Sequence, residues 1–164
     1  MNYLKEKLSK VKLAIFDFDG VFTNNKVLVS ENGVESVICC RSDGIGLSRL
    51  NKLGIKSYVI SSETNAVVKV RCKKLKIPVI QGVENKKKVI EELCNSINIS
   101  PQECLFLGND INDICALKIV GCPIAVADAY EEINNYVIHK TKTKGGEGAV
   151  REICDLIFHN RLTL

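Results

Sequence analysis

The feature that most constrains this chain is an apolar segment, residues 13–16, that ends abruptly in Asp17-Phe18-Asp19-Gly20. Consecutive apolar residues without alternation are typical of a strand that is buried on both faces, as in a parallel sheet. A carboxylate directly after such a strand lies at the sheet edge where open α/β folds bind their ligands. Asp19 can face the same way as Asp17 only if the backbone turns, and Gly20 permits that turn.

The two carboxylates of this segment allow two interpretations. Held a few ångströms apart, Asp17 and Asp19 repel each other unless a cation or a shared proton lies between them. Alternatively, Asp17 caps a turn at the end of the strand and Asp19 is an ordinary surface residue. The segment by itself favours neither interpretation, so the rest of the chain has to decide.

Strand-like and helix-like segments alternate along the rest of the chain, with short loops between them. This alternation predicts an α/β fold with a doubly wound, mostly parallel sheet, and the length of the chain predicts one domain over residues 1–164. Ser100-Pro101-Gln102-Glu103 predicts one short capped helical turn. The predicted strands are 12–16, 56–60, 78–82, 104–107, 124–127 and 136–138; the predicted helices are 43–53, 65–76, 86–97, one ending near Val120, a short one near Glu131 and a last one containing Arg151 and Leu156.

Residues 26–38 interrupt this alternation. Two β-rich segments flank Asn32-Gly33, a dipeptide that strongly favours a hairpin turn. The sheet does not need this hairpin, so we expect it to form an interface or a partial lid. At the ends of the chain we expect a short polar lead-in over residues 1–11 and a C-terminal tail over 142–164, in which the glycine-rich segment 145–148 precedes the last helix.

Composition narrows the partners and the compartment. The net charge of +4 is spread along the chain and only 5% of residues are aromatic, which favours small anionic ligands over nucleic acid. The eight cysteines form no Cys-x-x-Cys pair and lie mostly in apolar segments, which predicts free thiols rather than disulfides or zinc ligands. We see no signal peptide and no membrane-spanning segment. We therefore expect a cytoplasmic protein without nucleic-acid or membrane partners.

Polar groups of complementary kinds follow four of the predicted strands. Because parallel strands end at the same edge of a sheet, these groups can converge. An aspartate that attacks a phosphoryl group needs a divalent cation held on carboxylates, with a lysine and a hydroxyl to neutralise the phosphoryl oxygens. The chain offers these groups in one order: Asp17 with Asp19, then Ser61, then Lys86, then Asn109 and Asp110 with Asp113.

These four segments, which span nearly the whole chain, resemble the four motifs of the haloacid dehalogenase superfamily of phosphatases. The resemblance implies that Asp17 attacks phosphorus and that Asp19 acts as general acid and then general base. Ser61 corresponds to the second-motif hydroxyl residue and Lys86 to the third-motif lysine. The expected reaction is therefore hydrolysis of a phosphate monoester through an aspartyl-phosphate intermediate.

The resemblance also implies Mg²⁺ as the cofactor, held by Asp17, Asp19 and the fourth motif. The family usually has aspartate where this chain has Asn109. An amide oxygen can still bind a hard cation but adds no charge, so we expect weaker metal binding or a rearranged site. Either Asn109 or Asp110 could be the direct ligand, with Asp113 in support.

The hairpin and the glycine-rich tail resemble the capless branch of this superfamily, which includes octulosonate 8-phosphate and nonulosonate 9-phosphate phosphatases. The resemblance implies a homotetramer without a separate cap domain, in which the hairpins associate and a neighbouring subunit, with the segment 145–148 as a candidate, completes the active site. The implied substrate is a phosphorylated 2-keto-3-deoxy sugar acid. The residues implied in binding it are Thr23, Asp43, Gly44, Ser62, Glu63, Lys74 and Arg151.

The residues after Ser61 bear on the length of that sugar acid. Octulosonate phosphatases tend to carry Gly-Arg at this place, whereas this chain has Ser62-Glu63. Glu63 together with Lys74 resembles the nonulosonate, sialic-acid-type enzymes, and a glutamate can accept hydrogen bonds from sugar hydroxyls. We therefore predict a nonulosonate 9-phosphate as the substrate, with octulosonate 8-phosphate as the alternative.

Two functions of other classes also fit parts of the chain. Asn109, together with the likeness of residues 64–68 to a domain fused to some acylneuraminate cytidylyltransferases, suggests a catalytically weak tetramerising module. The retained aspartates and Lys86 argue against it, because a structural domain has no reason to keep a costly charged cluster. A receiver-type signalling domain is disfavoured because its phosphorylated aspartate follows a middle strand, whereas here Asp17 follows the first.

Overall fold

The computed structural model describes residues 3–163 as an α/β fold with one six-stranded parallel sheet and a separate two-stranded hairpin. The doubly wound parallel fold predicted from the alternation is confirmed. The strands are β1 (Leu13–Phe16), β2 (Leu28–Val29), β3 (Glu35–Ser36), β4 (Lys56–Ile60), β5 (Val79–Ile80), β6 (Cys104–Gly108), β7 (Cys122–Ala125) and β8 (His139–Lys140). The helices are α1 (Tyr3–Ser9), α2 (Asp43–Lys52), α3 (Ala66–Leu75), α4 (Lys86–Ile97), α5 (Ile114–Leu117) and α6 (Ala149–Leu162), with 3₁₀ turns at Pro101–Glu103, Ile111–Asp113 and Glu131–Tyr136.

Strand β1 lies in the middle of the sheet. The strand order is β5-β4-β1-β6-β7-β8, and all four residues of β1 are buried. Leu13 pairs with Lys56 of β4 on one side and with Cys104 of β6 on the other. The chain winds outward through β4 and β5 and then returns to β6, so the winding reverses beside β1. In open α/β sheets a crevice forms at such a reversal, outside the carboxyl ends of the strands.

Local sequence signals fix several element boundaries. Helix α4 spans the predicted residues. Asn85 is its N-cap, because the Asn85 side chain accepts a hydrogen bond from the backbone N–H of Lys88. Ser100 and Glu103 form both halves of the predicted capping box. The capped turn leads directly into β6, so the strand that ends at the crevice begins from a defined point.

Three predicted segments differ in the structure. Residues 3–9 of the expected polar lead-in form helix α1, whose Lys5 carbonyl accepts a hydrogen bond from Asn160 in α6; Met1 and Asn2 lie outside the described residues. The strand predicted at 124–127 lies at 122–125, and the one predicted at 136–138 lies at 139–140. Each β-rich segment was recognised, but the pairing partners decide which of its residues join the sheet.

The hairpin predicted over residues 26–38 is present and turns at Gly33. Its paired strands are only two residues long, and they lie outside the main sheet. Several of its apolar side chains point into solvent, with Leu28 74% and Ile38 72% exposed. Exposed apolar side chains that pack on little of their own chain are typical of a surface that binds another protein.

The eight cysteines are free thiols, as predicted, and five of them are buried. Burial raises the pKa of Cys72 and of Cys122 to about 12, which keeps these thiols protonated and unreactive. Within residues 3–163 there is no helix of the length and apolar character needed to cross a membrane.

Candidate active site

Three neighbouring strands deliver the predicted site residues to one edge of the sheet. Asp17 follows β1, Ser61 follows β4 and Asn109 follows β6, and these three strands lie side by side in the sheet. All three side chains are buried. Lys86 reaches the same place from the start of α4. The structure therefore brings one residue of each predicted motif together at the crevice beside β1.

Lys86 joins two carboxylates in the centre of this site. Its Nζ lies 2.9 Å from Oδ2 of Asp17 and 2.7 Å from Oδ1 of Asp113, and its side chain is 0% exposed. Burial lowers the pKa of Lys86, but the two carboxylates outweigh it and the net effect raises that pKa. The ammonium thus stays charged between the two carboxyl groups. When both of them are ionised the cluster has one excess negative charge, which favours binding of a cation.

Asp17 is held in place by its own backbone as well as by Lys86. Its Oδ1 accepts a hydrogen bond of 2.7 Å from the N–H of Phe18. Burial raises the pKa of Asp17 to about 7, the carboxylate of Asp113 adds to that rise, and Lys86 opposes it. A carboxylate that is fixed, buried and poorly solvated is a good candidate for a nucleophile.

Asp113 and Asp110 organise the loop of the fourth motif. Oδ2 of Asp113 accepts hydrogen bonds from the backbone N–H groups of Asn109, at 2.8 Å, and of Asp110, at 3.4 Å. Oδ1 of Asp110 accepts one of 2.7 Å from the N–H of Ile111. Both acids are therefore engaged in shaping the loop, and the residue they present to the crevice is Asn109.

Asn109 has the free oxygen of this loop. Its Oδ1 is buried and has no hydrogen-bond partner. A buried amide oxygen without a partner is destabilising unless a ligand or water satisfies it. Together with the carboxylates of Asp17 and Asp19 it forms a set of hard oxygen donors, which fits Mg²⁺. Among the described residues no three His, Cys, Asp or Glu side chains cluster as metal ligands.

Asp19 lies on a tight loop beside Asp17. Gly20 has a φ of +75°, the turn that the sequence requires, and a Cβ there would lie 2.1 Å from Nδ2 of Asn109. Thr23 stabilises the loop, since its Oγ1 accepts a hydrogen bond from the N–H of Gly20. Partial burial raises the pKa of Asp19, Glu63 raises it further, and a hydrogen bond with Thr23 lowers it. A raised pKa suits a carboxyl group that must donate a proton near neutral pH.

The glycine-rich segment, residues 145–148, packs against the loop that carries Asp19. The N–H of Gly146 donates to the carbonyl of Val21, and a Cβ on Gly145 would lie 1.9 Å from the carbonyl oxygen of Gly20. The segment is thus packed against residues 20–24 of its own chain. That the segment also enters the active site of a neighbouring subunit stays a prediction.

Ser61, Ser62 and Glu63 form the turn after β4. Ser61 Oγ accepts a hydrogen bond of 3.1 Å from the N–H of Glu63, and Oε1 of Glu63 accepts from the N–H groups of Thr64 and Asn65. Ser62 is exposed and its Oγ lies 3.5 Å from the amide of Asn112. One carboxylate oxygen of Glu63 therefore stabilises the turn before helix α3, and Asn65 caps the helix itself.

A cavity of about 260 Å³ opens beside Asp19. Three carboxylates line it, those of Asp19, Glu35 and Glu63, with apolar side chains opposite them. The sequence analysis missed Glu35 and Asn25 as lining residues. The hairpin could have suggested them, because it must return to the sheet near the end of β1.

Four predicted substrate-binding residues lie elsewhere in this chain. Gly44 and Lys74 line a groove between α2 and α3 that includes none of the acidic residues. The backbone N–H of Arg151 donates to buried Asp43, and its side chain pairs with Asp155 at 2.7 Å. Burial raises the pKa of Asp43 to about 6, and the hydrogen bond from Arg151 opposes that rise. These contacts tie helix α2 to helix α6.

Comparison with known proteins places this geometry in a family. Residues 49–153 match the haloacid dehalogenase-like hydrolase family. The 3-deoxy-D-manno-octulosonate 8-phosphate phosphatase of Escherichia coli K12 is 32% identical over 152 residues, which cover 92% of this chain and 81% of that protein. The chain belongs to the haloacid dehalogenase-like hydrolases, and the membership predicted from the four motifs is confirmed.

Solved structures give the same result. A putative hydrolase of the family from Streptomyces avermitilis is 37% identical, with a TM-score of 0.89 over 93% of this chain and 88% of that one. The 3-deoxy-D-manno-octulosonate 8-phosphate phosphatase from Moraxella catarrhalis is 31% identical, with a TM-score of 0.94 over 98% and 92% of the two chains. The latter was solved with magnesium, phosphate and the sugar acid bound.

Proposed function

We propose that this phosphatase hydrolyses a phosphorylated 2-keto-3-deoxy sugar acid with Mg²⁺ as its cofactor. The observation that carries the proposal is the buried Asp17 carboxylate, fixed by Lys86 and by the N–H of Phe18 at the reversal of the sheet. The names of the relatives support the substrate class and the bound magnesium of the Moraxella enzyme supports the cofactor. The unpartnered oxygen of Asn109 supports a cation between it and the aspartates.

The proposed reaction has two steps on Asp17. In the first, a carboxylate oxygen of Asp17 attacks phosphorus, the bond to the sugar oxygen breaks, and Asp19 donates its proton to that oxygen. In the second, Asp19 removes a proton from a water molecule, which attacks the phosphorus and releases phosphate from Asp17. Lys86 and Ser61 donate hydrogen bonds to the phosphoryl oxygens. When bound, Mg²⁺ would supply positive charge that keeps Asp17 ionised and neutralises the phosphoryl group.

Within this substrate class we propose a nonulosonate 9-phosphate. Glu63 lies in the cavity beside Asp19, where a carboxylate can accept hydrogen bonds from the hydroxyls of a polyhydroxylated substrate. Octulosonate 8-phosphate is the second candidate, and the printed names of the Escherichia coli and Moraxella relatives favour it. Lys74 lines the groove between α2 and α3, and it also lines a groove that shares Val37 and Val67 with the cavity beside Asp19.

We also propose that the chain acts as a single domain in a homotetramer. Support comes from the exposed apolar side chains of the hairpin and from the open cavity beside Asp19, which a second copy could cover. Excluding water from that cavity would strengthen every electrostatic contact within it. The glycine-rich segment supports the Asp19 loop of its own chain, and in the tetramer we propose that it also reaches the active site of a neighbour.

The test is phosphate release from both sugar-acid phosphates, with Mg²⁺ and with a chelator, for the wild type and Asp17→Asn. We expect Mg²⁺-dependent turnover that prefers the nine-carbon substrate, and a loss of about 10³-fold or more in Asp17→Asn because the nucleophile is gone. Glu92→Gln, a surface change on α4, is the matched charge control and should keep full activity.

The outcomes separate the parts of the proposal. Near-normal turnover by a folded Asp17→Asn variant would exclude the covalent mechanism. Preference for the eight-carbon substrate would keep the mechanism and replace the proposed specificity. Tight tetramers without metal-dependent turnover on either substrate would favour a structural module.

A further inference from the structure

The groove between α2 and α3 has a volume of about 580 Å³. It is bounded by α2, by the start of β4 and by the segment Lys74–Pro78 at the end of α3. Lys56 begins β4 and Ser61 follows its other end, so about 16 Å of strand separates this groove from the candidate active site. Its volume is in the range of sites that bind small organic ligands.

The charge of this groove has one sign. Three lysines line it, Lys56, Lys74 and Lys76, and no aspartate or glutamate does. Among residues 3–163, none of the three forms a salt bridge. Lysines that have no acidic partner and share one concave surface attract a multiply charged anion. Ammonium groups without arginine favour phosphate, which they bind as point charges.

The wall of the groove is largely apolar. Leu47, Ile55 and Leu75 are among the apolar residues that line it, and Tyr58 lines it as well. The groove thus combines an apolar surface with concentrated positive charge.

Lys76 provides an independent observation. It ends helix α3 with a φ of +58°, in the left-handed region that glycine usually occupies at this position. Apart from two asparagines, it is the only described non-glycine residue with a positive φ. A lysine in this conformation is less stable than glycine by about 1 kcal/mol. Backbone strain that persists beside a cavity is a reason to look for a function of the side chain.

We propose that this groove binds an organic phosphate of the nucleoside diphosphate class. The diphosphate would lie among the three ammonium groups, and the flat base against the apolar wall beside Tyr58. Inorganic phosphate is too small to use the apolar surface, and a neutral nucleoside cannot use the lysines. This site goes beyond the proposed phosphatase activity and does not depend on it.

The experiment is calorimetric titration of the intact chain with ADP, in a chelator so that no divalent metal is available at the other site. Adenosine and pyrophosphate are the two comparison probes. We expect ADP to bind. Adenosine and pyrophosphate should each bind at least about tenfold more weakly than ADP, because each lacks one half of the recognised structure.

Two variants locate the binding. Lys76→Gly removes one ammonium and should preserve or improve folding, because glycine favours the left-handed backbone. Lys56→Gln removes a second ammonium. Each should weaken ADP binding about tenfold. Lys69→Gln, an exposed change on the same helix but outside the groove, and Asp17→Asn at the other site should bind ADP as the wild type does.

Three results would overturn the proposal. The first is an absence of ADP binding at millimolar concentration. The second is binding that Lys76→Gly and Lys56→Gln leave unchanged, and the third is binding that Asp17→Asn abolishes. The last two would place ADP elsewhere, and none of the three bears on whether the chain hydrolyses sugar-acid phosphates.

Discussion

The carboxyl edge of the sheet and the hairpin differ in which side chains they bury. Ordinary proteins bury apolar side chains and expose charged ones, and each of these two regions does the reverse for one class of side chain. At the carboxyl edge, charged side chains are buried: Lys86 and Asp113 are 0% exposed. In the hairpin, apolar side chains such as Leu28 and Ile38 lie in solvent. Buried charge and exposed apolar surface both lower the stability of an isolated chain.

The difference shows what each region requires from outside the chain. The carboxyl edge has excess negative charge and the unpartnered oxygen of Asn109, so it requires a cation and an anionic substrate. The hairpin exposes the apolar side chains of Leu28 and Ile38, so it requires another apolar surface. Four changes break or sharpen this contrast, and they follow in order of expected effect.

Replacing Lys86 with methionine should have the largest effect on folding. The change leaves Asp17 and Asp113 as two buried carboxylates without a counter-charge, which destabilises a fold by about 3–5 kcal/mol. Urea unfolding followed by circular dichroism measures the loss. Lys87→Met, one residue along on the exposed face of α4, should change stability by less than about 0.5 kcal/mol. Equal effects of the two changes would refute the assignment of Lys86 to the buried cluster.

Replacing Gly145 with alanine should lower kcat. The new Cβ would lie 1.9 Å from the carbonyl of Gly20, so the loop that carries Asp19 must shift. A displacement of about 1 Å at a reacting group lowers kcat by roughly 100-fold, which steady-state phosphate release measures. Gly54→Ala strains the backbone at a φ of +72° in open space and should leave kcat unchanged. Wild-type kcat in Gly145→Ala would mean that the glycine-rich segment does not position Asp19.

Replacing Asn109 with aspartate should sharpen the cation site. A third carboxylate beside Asp17 and Asp19 raises the negative charge on the site, and we expect Mg²⁺ to bind about tenfold more tightly in calorimetry. Asn112→Asp adds the same charge to the exposed side of the same loop and is the control. If both variants bind Mg²⁺ equally, the effect is general electrostatics and Asn109 is not a ligand.

Replacing Leu28 and Ile38 with threonine should have the smallest effect on the fold of one chain. Both side chains are mostly exposed, so the stability of the dilute monomer should change by less than about 0.5 kcal/mol. Self-association, measured by sedimentation, should weaken because the apolar surface is lost. Unchanged association would assign the interface to another surface.

Much of the fold was predictable because its signals are local. The run of apolar residues in β1, the Asn32-Gly33 turn and the Ser100 capping box each fix a structure within a few residues. Helix α1 was missed because its segment is polar and short, and Leu8 is its one buried side chain among those described. Its place depends on α6, about 150 residues away, which no local pattern encodes.

The site was predictable to the same degree. Residues at the ends of β1, β4 and β6 meet because parallel strands share an edge, so strand order alone brings Asp17, Ser61 and Asn109 together. Lys74 was grouped with Glu63 by resemblance, yet α3 runs away from that edge and carries Lys74 to its far end. The hydrogen bonds of the loop, which sequence does not specify, are what favour Asn109 over Asp110 in the proposed cation site.

The contact between Gly145–Gly146 and residues 20–24 sets an order of events during synthesis. The segment that supports the loop of Asp19 follows that loop by about 120 residues. Contacts between residues so far apart in sequence form late in folding. A nascent chain with β1, β4 and β6 in place therefore still lacks a positioned Asp19, and this part of the site matures only after residues 145 and 146 have been made.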